Sequence, residues 1–121
     1  MNVQEFRDYC MSLKGTTEKM PWTKQPQYEN LLVFSVGEKW YCFVDIEKFE
    51  FCDLKCDPEK SKGLQTQYEG ITPGWHMNKK HWISVHFNSD VPDDVIKQLI
   101  ASSYNLVLHE LPHRQQEELE E

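Results

Sequence analysis

The stretch "LLVFSVGEKWYCFVDI", residues 31–46, holds two β-branched and aromatic runs on either side of Gly37-Glu38-Lys39. Runs of that composition, separated by that spacing, predict two antiparallel strands joined by a short hairpin turn. Just downstream, "FEFCDLKCD" sets Phe49, Phe51 and Asp53 against Glu50, Cys52 and Leu54 and reads as a third strand, so the three make a meander. Further on, "WISVHF" alternates Trp82, Ser84 and His86 with Ile83, Val85 and Phe87, the pattern of a half-buried strand. The residues before it, Trp75 to Asn78, are expected to pair with it across a Lys79-Lys80 turn.

Helices flank these strands. In "NVQEFRDYCMSLKG", Val3, Phe6, Cys10 and Leu13 recur at three- and four-residue steps, with Asn2 as the N-cap, Glu5 three residues later and Gly15 as the stop. The segment "DPEKSKGLQTQY" opens with Asp57 as N-cap and Pro58 at the first helical position, where its missing N–H costs nothing. Gly63 inside it predicts a short helix. In "SDVPDDVIKQLIASSYNLVLHELP" the residues Val95, Leu99, Tyr104, Val107, Leu108 and Leu111 line one face, and Asp93-Asp94 meet the positive N-terminal dipole, which predicts a helix of about 18 residues. The stretch "TTEKMPWTKQPQYEN" has no period and two prolines, and reads as a long irregular loop carrying Trp22 and Tyr28.

The expected fold is therefore α+β: a two-layer α/β sandwich with a five-stranded antiparallel sheet in the order α-β-β-β-α-β-β-α. A chain of 121 residues, 39% hydrophobic and 12% aromatic, suits one folded domain, taken as residues 1–112. The remaining "HRQQEELEE", residues 113–121, lacks an apolar face and reads as a frayed acidic tail. Residues 110–121 carry five acids against Arg114, so −4 of the net charge of −7 sits at that end. A net charge of −7 repels polyanions at long range, which counts against generic nucleic-acid binding, and the −3 left on residues 1–109 softens that objection. No apolar run reaches the length of about 18 residues that a membrane span needs, and the N-terminus is not patterned as a signal sequence. Cys10, Cys42, Cys52 and Cys56 have no CxxC spacing, which predicts reduced thiols in a cytoplasmic protein. A monomer is expected.

Four pieces in order, "KGTTEKMPW", "DLKCDPE", "YEGITPGWHMNKKHW" and "VPDDVIKQLIASSYNLV", carry a resemblance to the MmcQ/YjbR family that runs from Phe6 to about Pro112. The resemblance implies a fold described as secretion-chaperone-like or CyaY-like, with the same element order. It also implies the family's label of DNA-binding protein, in which paired hairpins act as wings against a duplex. The family's pattern contains no catalytic residues, so the resemblance transfers none.

The same region holds the candidate site. His76, Asn78, Lys79, Lys80, His81 and Trp82, with Lys55 near a strand end, would place two lysines on phosphate oxygens and an amide or ring in a groove. The alternative is that Lys79 and Lys80 keep a hairpin tip soluble while the rings pack beneath it. Trp22 and Trp75 are expected to cover the same end of the sheet, giving one concave patch with the lysine turn. Two functions stay open: weak DNA binding, or a protein- or peptide-interaction module that uses the aromatic patch and needs no large positive field.

Metal, cofactor and catalytic roles are not expected. Cys52 and Cys56 would lie about 13 Å apart on a strand, too far to share a zinc ion. There is no GxSxG, P-loop or HExxH, and Cys56 before Asp57-Pro58 is the single thiol at a mildly activating helix start.

Overall fold

The computed structural model describes residues 1–120. The chain forms α1 (Val3–Ser12), β1 (Thr16–Lys19), β2 (Leu31–Val36), β3 (Lys39–Asp45), β4 (Phe51–Lys55), α2 (Pro58–Gln67), β5 (Ile71–Pro73), β6 (Trp82–His86), α3 (Asp93–Glu110) and α4 (His113–Glu120). The strands make one sheet in the order β1-β2-β3-β4-β6-β5, antiparallel at every junction. The fold is the expected α+β sandwich with a sixth strand.

Local chemistry accounts for the elements that the sequence marks. Val36 faces Lys39 across a two-residue turn, and Gly37 and Glu38 both take positive φ, 56° and 66°, as a turn matched to strand twist requires. The Asn2 side chain accepts from the Glu5 N–H at 2.8 Å and caps α1. Asp57 accepts from the Glu59 N–H at 2.9 Å and caps α2, with Pro58 in its first turn.

A β-bulge fixes which residues share a face. Phe34 is opposite Cys42 but Ser35 is opposite Trp40, so Tyr41 is an extra residue on β3. The insertion breaks the period of two, and Trp40 and Phe43, three residues apart, pack on the same side. Tyr41, Cys42 and Val44 join the core on the other side.

That core lies between the sheet and two helices. Phe6 and Cys10 of α1 and Ile96, Ile100, Tyr104, Val107 and Leu111 of α3 and its C-cap pack with inward residues of the strands, including Phe34, Leu54, Ile83 and Val85. The centre of the α3 stripe includes Ile96 and Ile100, while Val95, Leu99 and Leu108 flank it half-buried. Adjacent apolar pairs such as Val95-Ile96 and Leu99-Ile100 widen the apolar arc, and periodicity alone does not choose between their members. No helix among the described residues is long and apolar enough to cross a membrane.

Three expectations need correction. The sheet has six strands rather than five, because Thr16–Lys19 pairs with Leu31–Val36 at the edge; four residues ahead of two prolines are too few to display alternation. Trp82–His86 pairs with Ile71–Pro73, not with Trp75–Asn78, which lie in an eight-residue loop from Gly74 to His81. The C-terminal segment read as a frayed tail is helical over His113–Glu120, and Leu119 anchors it, packing over Gly15 beside the core. One apolar side chain in a polar octet carries no periodic signal, yet it suffices when the facing residue is a glycine.

Candidate functional site

The face of the sheet opposite α1 and α3 is covered by two loops, residues 20–30 and 74–81. Strand residues Leu31, Val33, Phe43 and Trp82 form a buried floor there, and Trp22, Tyr28, Trp40, Trp75 and Met77 stand around it half-buried. The rings contact one another in sequence. Trp22 meets Trp40 edge to face at 5.3 Å and Tyr28 at 6.2 Å, Tyr28 meets Trp75 at 6.2 Å, and Trp75 meets Phe51 at 5.7 Å. Aromatic pairs at such separations favour these tilted and edge-to-face arrangements by about 0.5–1.5 kcal/mol each.

Two cavities open between these rings. One, of about 210 Å³, is lined by Trp22, Tyr28, Trp40, Trp75, His76 and Met77 above Leu31 and Phe43. The other, of about 190 Å³, is lined by Leu31, Phe43, Phe51 and Trp75 with Asp45, Lys48 and Glu50 among its polar residues. They share Leu31, Phe43 and Trp75 as walls, so the two cavities lie side by side in one aromatic groove on this face.

The loop that carries Trp75 is tied down by a polar chain built on the sheet. The Trp75 N–H donates to Ser84 Oγ at 2.9 Å, and the Ser84 hydroxyl donates to Asp53 Oδ1 at 2.5 Å. The Gly74 N–H donates to the Trp82 carbonyl at 3.0 Å, and the close approach leaves no room for a Cβ at Gly74. Lys79 Nζ returns to the Gly74 carbonyl at 2.9 Å. Asp53 is fully buried and its Oδ2 has no hydrogen-bond partner. Burial pushes its carboxyl up to about 7, against the opposing pull of Ser84, the Trp75 N–H and the Lys79 charge.

The residues expected at a lysine-turn surface separate into several roles. Lys79 and Lys80 are exposed at the tip of the 74–81 loop, and neither is in an ion pair with a carboxylate among the described residues. Asn78 builds the turn: its Oδ1 accepts from the Lys80 N–H at 2.9 Å and its carbonyl accepts from the N–H groups of His81 and Trp82. His76 is exposed with φ of 57°, its ring 4.1 Å from the Trp75 ring. His81 is exposed, whereas Trp82 is 7% exposed and packs on Phe43 at 6.1 Å. Lys55 does not join the turn: its ammonium is held by Glu110 of α3 at 2.6 and 2.8 Å, although Cys56 next to it bonds through its N–H to the His81 carbonyl.

Trp22 and Trp75 do line one cavity, as the sequence suggested, but the lysines are not among its walls. Sequence reasoning missed Trp40, Phe43 and Phe51 as groove residues, and Asp53 as the buried acid beneath. The alternation of Phe51 and Asp53 against Cys52 and Leu54 carried part of that signal; the bulge at Tyr41 concealed the rest.

All four cysteines are buried, and desolvation pushes the Cys56 thiol up, away from thiolate character. Among the described residues no three His, Cys, Asp or Glu side chains gather into a metal-holding group.

Comparison with known proteins assigns the chain to a family. It is 38% identical over 96 residues to the uncharacterised protein YbdF of Escherichia coli O157:H7, covering 78% of this chain and 76% of that one. It is 35% identical over 103 residues to the uncharacterised protein YyaQ of Bacillus subtilis, covering 76% and 86%. The uncharacterised protein YjbR of Escherichia coli K12 is 30% identical over 115 residues, covering 93% and 92%. A crystal structure of a Deinococcus radiodurans protein superposes with a TM-score of 0.86 at 31% identity, over 98% of this chain and 87% of that one. A Pseudomonas syringae protein does so with a TM-score of 0.72 at 34% identity, over 88% and 99%. The YjbR family model matches residues 11–106, from the end of α1 through most of α3, and the chain belongs to the YjbR family.

Proposed function

We propose that the protein is a non-enzymatic binding module that takes a peptide segment of a partner protein in the aromatic groove on the helix-free face of the sheet. The observation that carries this reading is the set of half-buried rings, Trp22, Tyr28, Trp40 and Trp75, lining adjacent cavities on one face. Aromatic side chains in preformed concave sites supply contact area at low entropic cost and dominate the energetics of protein recognition. The net charge of −7 is no obstacle to such a ligand.

Selection from a random-peptide display library against the immobilised protein tests this. The expected outcome is a family of peptides whose dissociation constants rise by about 30-fold in Trp75→Ala, the scale of losing an aromatic anchor. Trp22→Ala, made as a second variant in the other cavity, is expected to weaken the same peptides. Failure to enrich any sequence, or binding indifferent to both substitutions, would contradict the reading.

A second reading, weak duplex binding through Lys79 and Lys80, draws on their exposure without a carboxylate partner. Two phosphate contacts predict a slope of log K against log salt of about −2, and affinity far below that of a dedicated DNA-binding protein. Fluorescence anisotropy on duplex DNA at low and moderate salt checks this: binding that vanishes with salt and with Lys79→Glu/Lys80→Glu supports it, and no binding at low salt removes it.

A further inference from the structure

The cavity at the Phe51 end of the groove is lined by two chemistries, aromatic and acidic. Phe43, Phe51 and Trp75 offer rings, while Asp45 and Glu50 bring two carboxylates to its lining beside one cation, Lys48. Asp45 uses one oxygen on its own turn, Oδ1 accepting from the N–H groups of Glu47 and Lys48 at 2.9 Å each. Among the described residues neither Asp45 nor Glu50 is in an ion pair. Below Trp75 and outside the cavity lies a third carboxyl, Asp53, with its unpartnered Oδ2.

Two physical effects point the same way. The faces of aromatic rings carry negative charge density and attract a cation within about 6 Å, and Arg is the cation most often found there because its flat, weakly hydrated guanidinium stacks on a ring. The two carboxylates of the lining add attraction of the same sign, and the acidic body steers cations toward the surface. Size then limits the occupant. A cavity of about 190 Å³ falls below the range of roughly 300–1,000 Å³ that encloses a whole small-molecule ligand, which leaves room for a single side chain.

We propose that this cavity takes an arginine side chain of the bound peptide, its methylene stem against Phe51 and Trp75 and its guanidinium facing Asp45 and Glu50. The inference rests on the reading of the groove as a peptide site and names the anchor that the site selects. A glutamate or aspartate in the same place would face both carboxylates and the negative ring faces.

Nuclear magnetic resonance titration of the isotope-labelled protein with n-butylguanidinium, n-butanol and n-butyrate separates charge preference from mere occupancy. The expected result is that butylguanidinium shifts the Trp75 indole and the Phe51 amide in a saturable way, that butanol does so more weakly, and that butyrate does not. The double variant Asp45→Asn and Glu50→Gln keeps the turn acceptor at position 45 and is expected to weaken butylguanidinium about threefold or more. Equal response to butanol or butyrate, or indifference to the double variant, overturns the arginine assignment and leaves the groove standing. Absence of any shift at Trp75 also overturns the assignment, and the display selection then decides separately whether the groove binds peptides.

Discussion

Replacing Asp53 by Asn is expected to stabilise the protein above neutral pH and to remove much of the pH dependence of its folding. The native carboxyl titrates near 7, whereas in the unfolded chain it returns to an ordinary value of 3.8. A raised acid constant means that the folded state holds the proton more tightly, so stability falls as pH rises between those two values and levels off above the upper one. Ionising a group shifted by about three units costs up to about 4 kcal/mol, of which about 2–3 kcal/mol is lost between about pH 5 and pH 8. In Asp53→Asn the carboxamide oxygen still accepts from Ser84, but the Nδ2 group inherits the site of the unpartnered oxygen and costs about 1–3 kcal/mol at every pH. Urea unfolding at several pH values checks the difference between the two proteins. A gain of about 1–3 kcal/mol near pH 8 that shrinks or reverses near pH 5 is expected. Parallel curves, or a variant that loses ground as pH rises, would show that the native fold welcomes the carboxylate.

Ser103→Ala is expected to destabilise the protein by about 2–4 kcal/mol without altering any apolar contact, because two backbone groups lose their partner together. The ladder between β3 and β4 runs through the Cys42–Leu54 pair and stops there, since Tyr41 is the bulged residue. The Ser103 hydroxyl of α3 bridges the gap, donating to the Tyr41 carbonyl at 2.5 Å and accepting from the Lys55 N–H at 2.8 Å. Ser103 is fully buried, so water does not replace it readily. The neighbouring Ser102→Ala, at an exposed position, is expected to change stability by about 0.5 kcal/mol or less. Equal urea midpoints for Ser103→Ala and Ser102→Ala would mean that the bridge contributes nothing.

Both substitutions act at places that the one-dimensional pattern hides. The hairpin at Gly37-Glu38, the caps at Asn2 and Asp57, the span of α3 and the alternation of Trp82, Ser84 and His86 are local, set by residues within a few positions of one another, and the sequence displays them. The bulge at Tyr41 is not local. It is sustained by a serine 62 positions away, and without it Trp40 and Phe43 cannot be assigned to one face. Likewise Lys55 reads as a free cation until Glu110, 55 positions later, is found beside it. Four-residue β1 and three-residue β5 are too short for a period to register, which is why the sequence pattern offers Trp75–Asn78 in place of Ile71–Pro73 as the partner of Trp82–His86.

The candidate site was legible in half its membership for the same reason. Trp22 and Trp75 sit in loops directly after Pro21 and Gly74, where a large aromatic residue has no strand or helix to explain it, and that oddity marks them. Phe43, Phe51 and Asp53 sit in strands, where they pass for core until the helices are seen to cover only the opposite face.

The claim on which the account depends is that this helix-free face receives the ligand, not the lysine tip and not the crevice of about 310 Å³ that Cys56, Leu64, Leu99 and Leu106 line between α2 and α3. Chemical-shift mapping with a display-selected peptide tests it most directly. The account predicts that the indole signals of Trp22, Trp40 and Trp75 move together while the amides of α3 and of Lys79 and Lys80 stay in place. Perturbations centred on α2 and α3, or confined to residues 78–81, would contradict it.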